Sequence, residues 1–169
     1  MDKPIEKRGI ITESAQDFRA SLPDGGANGG ALLGIDLGTK TIGIATCDAG
    51  WRFATPGTTI PRAKFGRDVM KLDDIIATRQ IRGIVMGLPR NMDGSAGARV
   101  QSSRAYAQNL KQALGLPILL WDERWSTLSA ERAMIDQDTS RAKRAERIDS
   151  HAAAVILQGA LDTLAGSTI

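Results

Sequence analysis

Residues Ala31–Asp48 read ALLGIDLGTKTIGIATCD, and this stretch decides the fold. From Ala31 to Leu37 nearly every residue is apolar, the pattern of a strand covered on both faces. Gly38-Thr39-Lys40 then makes a tight turn, and Thr41–Asp48 returns as a β-branched run, completing a hairpin. Inside the first strand sits Asp36. A carboxylate among aliphatic side chains is costly unless it is neutral, paired or metal-bound. No cation precedes it in the strand, and Lys40 lies beyond the turn. Asp36 is therefore either an acid that bonds the turn amides or a functional acid presented beside a glycine backbone.

Outward from the hairpin, Trp51–Ile60 reads as a third, interrupted strand, with Pro56-Gly57 marking a turn or bulge. Short links between these three strands imply an antiparallel meander. Phe65–Gln80 carries apolar residues at helical spacing. Ile81–Leu88 is a buried strand stopped by Pro89, and a glycine-containing loop leads into a helix over Arg99–Leu114. A strand, glycine-rich loop and helix in that order can offer free amides to a phosphate. Arg99 and Arg104 are either phosphate contacts or ordinary surface residues. Leu116–Trp121 is another buried strand and runs into Asp122-Glu123-Arg124. Ligands of open α/β sheets gather at the carboxyl ends of strands. Successive strand side chains point to opposite faces, so at most one of Asp122 and Glu123 faces the same site as Asp36.

Ser126 and Thr127 are good caps for a helix through about Ile135. Asp136–Arg147 is polar and carries Arg141, Lys143, Arg144 and Arg147, which suits either a solvated loop or a contact to a phosphate backbone. The last helix is expected over Glu146–Ala165. Asp149 shares its apolar face with Ala153 and Ile156. The helix dipole favours an acid in a first turn, but a place on the packed face calls for a partner. His151, the single histidine, suits a surface or capping role.

The 169 residues suffice for one domain with a sizeable core, and 42% of them are hydrophobic while only 4% are aromatic, so that core is aliphatic. Residues 1–30 have mixed charge and end in LPDGGANGG, which reads as a flexible extension ahead of a domain over 31–169. A single cysteine, Cys47, excludes an internal disulfide or a cysteine-based zinc cage and makes a reducing cytoplasm the default. No apolar run is long enough to span a bilayer, and the charged start does not read as a secretory signal. A net charge of +3 is too mild to establish a nucleic-acid partner; where the charges lie matters more.

Three acids stand out: Asp36 inside the first strand, Glu123 at the end of a later one, and Asp149 early in the last helix. Their β-β-β-α-β-α-β-α setting resembles the ribonuclease H-like fold, in which acids from such places hold divalent metal. The segments GIDLGTKTIGIA, GLPRNMDGSAG, WDERWST and RIDSHAAAVILQ, in this order and spacing, resemble the YqgF family, also called RuvX or Holliday-junction-resolvase-like. The similarity spans about Leu32–Leu161. It implies a metal-dependent nuclease of the cytoplasm that processes the 5′ end of the pre-16S ribosomal RNA, with resolution of branched DNA as the older assignment. It also implies Asp36, Glu123 and Asp149 as catalytic acids and ligands of Mg²⁺ or Mn²⁺, with Arg124 as the basic residue beside them. Gly38, Thr39 and Lys40 would approach the substrate phosphate, and Arg99, Arg141, Lys143 and Arg144 would bind its backbone. Related resolvases carry a second acid three residues after the late one; here that position is Ala152.

The expected sheet has five strands in the order 3-2-1-4-5, with right-handed crossovers between the later ones. Two other function classes fit parts of the pattern. An actin-like ATPase or sugar kinase also carries D-x-G-T, but it needs a second lobe with a second such loop, and this chain shows neither. A nucleic-acid-binding module without catalysis would differ by binding without cleaving. A junction resolvase would be a two-fold dimer, whereas a precursor-trimming nuclease can act as a monomer.

Overall fold

The computed structural model describes residues 9–22, 30–90, 93, 96–125 and 141–166, the side chains of 125 and 141–149 excepted. The elements are β1 (Ile11–Thr12), α1 (Ala15–Ser21), β2 (Ala31–Leu37), β3 (Thr41–Cys47), β4 (Ala54–Pro61), α2 (Phe65–Arg79), β5 (Ile81–Leu88), α3 (Ala98–Leu114), β6 (Ile118–Asp122), a 3₁₀ turn (Glu123–Trp125) and α4 (Arg141–Gly166). The helix expected between Ser126 and Ile135 lies outside the described residues.

One mixed sheet carries the strands in the order β1-β6-β5-β2-β3-β4. The hairpin strand β2 is central, antiparallel to β3 and parallel to β5. The five expected strands keep their expected order. The sixth, β1, pairs parallel with β6 through Ile11 and Thr12. This corrects the reading of residues 1–30 as a flexible extension. Residues 9–22 form β1 and α1, and α1 buries Phe18 and Leu22 fully against the sheet. Gly83 admits them: a Cβ there would meet the Phe18 ring at 2.8 Å. A two-residue strand has no periodicity to read. The helix did carry a signal, since the Ser14 side chain accepts from the Asp17 N–H in the manner of an N-cap.

Alternation along the strands divides the core in two. Leu33, Ile35 and Leu37 of β2 join Ile84, Met86 and Leu88 of β5 and Ile118 and Leu120 of β6 on the face covered by α2 and α3. Leu32, Val85, Leu119 and Trp121 point the other way, toward α1 and α4. On that face Gly34 lets α4 lie directly on the sheet, because a Cβ there would meet Leu157 Cβ at 2.8 Å and the Ala153 carbonyl at 2.9 Å. Edge strand β4 tolerates Pro56, with a register shift in β3 between Gly43 and Ala45.

Several boundaries differ from expectation: β4 begins at Ala54 rather than Trp51 and β6 at Ile118 rather than Leu116, and two further shifts bear on the candidate site. Strand β6 runs to Asp122. Helix α4 begins at Arg141 rather than Glu146, so Arg141, Lys143 and Arg144 occupy its opening turns and not a loop. Polarity suggested a loop there, but alanine, arginine, lysine and glutamate are strong helix formers, and propensity prevails.

On the α2 side, Asp68 is fully buried in the first turn of α2. Its carboxylate accepts from the Ala63 N–H at 2.9 Å and the Tyr106 hydroxyl at 3.1 Å. Burial, and then the Asp68 charge, push the Tyr106 phenol up. Among the described residues no helix is long and apolar enough to cross a membrane.

Candidate active site

Asp36 follows Gly34 by two residues, so it shares the α4 face with Gly34. It is buried. Across β3 its register partner is Gly43. In β5 the register sets Ile35 beside Met86, which brings Gly87 level with Asp36 on the other side. Asp36 therefore stands between two residues without side chains, a gap that aliphatic neighbours would have filled.

Glu123 enters the same space from β6. Gly87 pairs with Trp121, and Glu123 lies two residues further on the same face. Its side chain reaches back over Gly87: a Cβ at that glycine would meet Glu123 Oε1 at 2.6 Å and Ile156 Cδ1 of α4 at 2.6 Å. Position 149 lies one helical turn before Ala153, whose carbonyl covers Gly34, and two turns before Ile156, which covers Gly87. The backbone of α4 thus runs toward the carboxyl ends of β2, β5 and β6. The Asp149 side chain is outside the described residues. Among those described, no group of three or more His, Cys, Asp or Glu side chains forms a metal cluster.

Asp122 faces the other way, as strand alternation requires, and it has a different task. Its carboxylate accepts from Arg124 Nη2 at 2.7 Å, from Arg124 Nε at 3.1 Å and from the Arg124 backbone N–H at 3.0 Å. Arg90 Nε lies 3.7 Å away. Hydrogen bonding from Arg124 holds the Asp122 carboxyl below the usual aspartate range. The guanidinium of Arg124, which the sequence suggests as a partner of the acid site, is engaged by Asp122 in this structure.

The turn residues divide as well. The Gly38 N–H donates to the Thr41 carbonyl at 2.9 Å, so this amide closes the turn and is not directed at a phosphate. A Cβ at Gly38 would meet that carbonyl at 3.0 Å, which explains the glycine without a ligand. Thr39 and Lys40 are exposed at the tip. Arg62 braces the turn and gave no sequence signal of that role. Its Nη1 donates to the Gly38 carbonyl at 2.7 Å, and its guanidinium lies 5.1 Å from the centre of the Tyr106 ring. Arg99 is exposed in the first turn of α3, in the layer opposite α4. Arg141, Lys143 and Arg144 lie in α4, their side chains outside the described residues. Two concavities of ≈ 440 and ≈ 570 Å³ open at the far end of β3, around Cys47, Asp48 and Arg79. They are remote from the acids.

The sequence model of the RuvX family, described as Holliday junction resolvase, matches residues 30–163. The chain belongs to the RuvX family. A RuvX relative from Novosphingobium aromaticivorans is 64% identical over 158 residues, covering 94% of this chain and 99% of the relative, and bears the name "Putative pre-16S rRNA nuclease". One from Sphingopyxis alaskensis with the same name is 60% identical over 155 residues, covering 92% and 99%. Among solved structures, Thermus thermophilus RuvC superposes with a TM-score of 0.52 at 13% identity, over 81% of this chain and 97% of that one. RuvC in complex with a Holliday junction substrate gives a TM-score of 0.51 at 12% identity, covering 81% of this chain and 96% of RuvC. At such identity the likeness concerns the fold alone, and RuvX has the α/β ribonuclease H-like fold.

Proposed function

We propose that this RuvX protein is a divalent-metal-dependent nuclease that hydrolyses phosphodiester bonds and matures the 5′ end of pre-16S ribosomal RNA in the cytoplasm. The observation that carries the reading is the space over Gly87. Glu123 reaches into it from β6, Asp36 stands beside it in β2 with glycine on both sides, and the first turns of α4 lead to it. The names of the two relatives, which match this chain over nearly its full length, support RNA as the substrate.

Asp36, Glu123 and Asp149 would hold Mg²⁺ or Mn²⁺. Carboxylate oxygens are the hard donors these ions prefer, and the glycines leave room beside them. Such an ion, when bound, supplies water activation and stabilisation of the leaving oxygen. The chain's own part is to fix the acids. β2 holds Asp36 in a buried strand, and the 3₁₀ turn after β6 aims Glu123 across the sheet. Lys40 and Thr39, exposed at the β2–β3 tip, are placed to meet substrate phosphates. No acid lies in the first turn of α4, so Arg141, Lys143 and Arg144 sit at the positive end of a helix dipole. Cations concentrated there are matched by a polyanion.

The test is incubation of the purified chain with precursor ribosomal RNA and with a four-way DNA junction, each with Mg²⁺ or Mn²⁺ and with chelator. Metal-dependent cleavage of the RNA is expected. Cleavage of the junction alone would move the substrate to branched DNA. Binding of both without cleavage would refute the nuclease reading in favour of a binding module.

A further inference from the structure

A second charged cluster lies on the opposite side of the same strand ends. Glu13, in the link between β1 and α1, receives two arginines, one on each carboxylate oxygen. Arg90 Nη2 is 2.6 Å from Oε1 and Arg104 Nη2 is 3.0 Å from Oε2. Arg90 comes from the segment after β5, two residues past Leu88, and Arg104 from the second turn of α3. Hydrogen bonding from Arg90 holds the Glu13 carboxyl below the usual glutamate range, so Glu13 is an anion near neutral pH.

We infer that Arg90 and Arg104 form a binding fork for one phosphodiester of the substrate strand, and that the Glu13 carboxylate occupies this fork in the free protein. The inference rests on the nucleic-acid reading proposed above and extends it to a site that the acids do not touch. Four features carry it. A carboxylate and a phosphodiester each offer two anionic oxygens, and paired guanidinium groups suit either. Glu13 and Arg104 are open, with side-chain exposures of 44% and 39%, while Arg90 is more enclosed at 20%, so the Glu13–Arg104 pair contributes little and can be exchanged. Arg90 retains Asp122 as a neighbour at 3.7 Å, which keeps it oriented when Glu13 leaves. Glu13 is also not required as a tether, because β1 pairing, the buried Phe18 and the Arg19 bond to the Leu164 carbonyl at 2.9 Å already fasten the segment. The fork adjoins Asp122, the strand neighbour of Glu123. A strand crossing the carboxyl edge of the sheet would meet the acids on one side and the fork on the other.

The test measures equilibrium binding of the full chain to a labelled single-stranded oligoribonucleotide, without divalent metal, across a range of salt. Glu13→Gln should bind about two- to five-fold more tightly, the release expected from breaking an exposed pair. Arg104→Gln should bind more weakly and lower the slope of log affinity against log salt by about 0.7, one phosphate contact on a single strand. A merely structural Glu13 would give the opposite sign, with unchanged or weaker binding and a lower melting temperature; that result overturns the fork. An Arg104→Gln variant with the parent's slope overturns it equally. If the parent chain itself binds no oligonucleotide, the nuclease reading fails and the fork with it; binding by the parent with unresponsive variants removes the fork alone.

Discussion

Gly87 is the position at which a single methyl group should separate activity from stability. In Gly87→Ala the new Cβ would lie 2.6 Å from Glu123 Oε1 and from Ile156 Cδ1, so each must withdraw about 0.8 Å to reach the 3.4 Å of ordinary contact. Both atoms end flexible side chains, and rotation can supply that distance. The stability cost therefore falls low in the roughly 1–3 kcal/mol range for overpacking. It is offset by about 0.4–1 kcal/mol from stiffening the unfolded chain. A net loss of about 0–1.5 kcal/mol lowers Tm by at most roughly 6 °C in a protein of this size. The Glu123 carboxylate, however, leaves its place by nearly 1 Å, and such displacements cost on the order of 100-fold in rate. Gly34→Ala is the contrast. There the Cβ meets the Ala153 carbonyl at 2.9 Å and Leu157 Cβ at 2.8 Å, so α4 itself must move. Its cost should approach about 3 kcal/mol, or roughly 6–12 °C. Calorimetric melting and single-turnover cleavage of precursor RNA read the two quantities separately. A Gly87→Ala protein that cleaves within two-fold of the parent would refute the placing of Glu123 at the reactive centre.

Three further outcomes follow from the same geometry. Asp36→Asn should preserve the circular dichroism spectrum and abolish metal-dependent cleavage, because an amide binds Mg²⁺ poorly; cleavage at the parent's rate would remove Asp36 from the mechanism. Neutralising Arg141, Lys143 and Arg144 together should flatten the salt dependence of RNA binding by about 0.7 in slope for each lost phosphate contact, and an unchanged slope would return them to a solvated role. The depressed Asp122 pKa means that the unfolded chain binds the proton first as pH falls, so this group's contribution is full above about pH 4, the ordinary aspartate value, and fades as pH drops through the lower folded value. Asp122→Asn should lower stability at pH 7 by the roughly 1–3 kcal/mol of a broken buried hydrogen-bonded group, and lessen the loss of Tm between pH 5 and 3; an unaltered acid limb would place the sensitive carboxylate elsewhere.

Much of this architecture was legible because the strands are long apolar runs with abrupt ends. The meander of β2 to β4 could be read from link lengths, the places of β5 and β6 from the family resemblance, and the opposite orientations of Asp122 and Glu123 from strand alternation. What escaped is tertiary. Glu13, Arg90 and Arg104 are far apart in sequence, and each looks like an ordinary surface charge until the fold joins them. Arg62 likewise carries no signal in the sequence, yet it secures the Gly38 turn. Helix α4 starts earlier than hydropathy suggests, at Arg141, because a polar, basic segment resembles a loop in hydropathy while being helical in propensity. Gly38 shows the converse: its glycine suggests a phosphate, and the close approach of the Thr41 backbone gives that glycine a structural reason of its own.

The acid site depends on residues that are absent as much as on those present. In a two-faced sheet, the space around a central strand position is normally filled from both neighbouring strands, and such filling would leave no place beside Asp36 for a second carboxylate. Here the cross-strand partner is Gly43 and the neighbour on the β5 side is Gly87, so the strands themselves put no side chain on the α4 face beside Asp36, and the Glu123 carboxylate and Ile156 fill the space over Gly87 instead. One residue earlier the same three strands contribute Ile35, Ile44 and Met86 to the opposite core, which is fully packed. The sheet thus changes from an aliphatic layer on one side to a carboxylate-bearing layer on the other within a single register step. That arrangement fixes the Asp36 backbone while leaving its carboxylate room, and it explains why the glycines matter although none contributes a functional group. It also explains why adjacent acids diverge. Asp122 falls on the packed side, where it must be paired, and Arg124 pairs it. Glu123 falls on the α4 side, where it shares the space over Gly87 with Ile156.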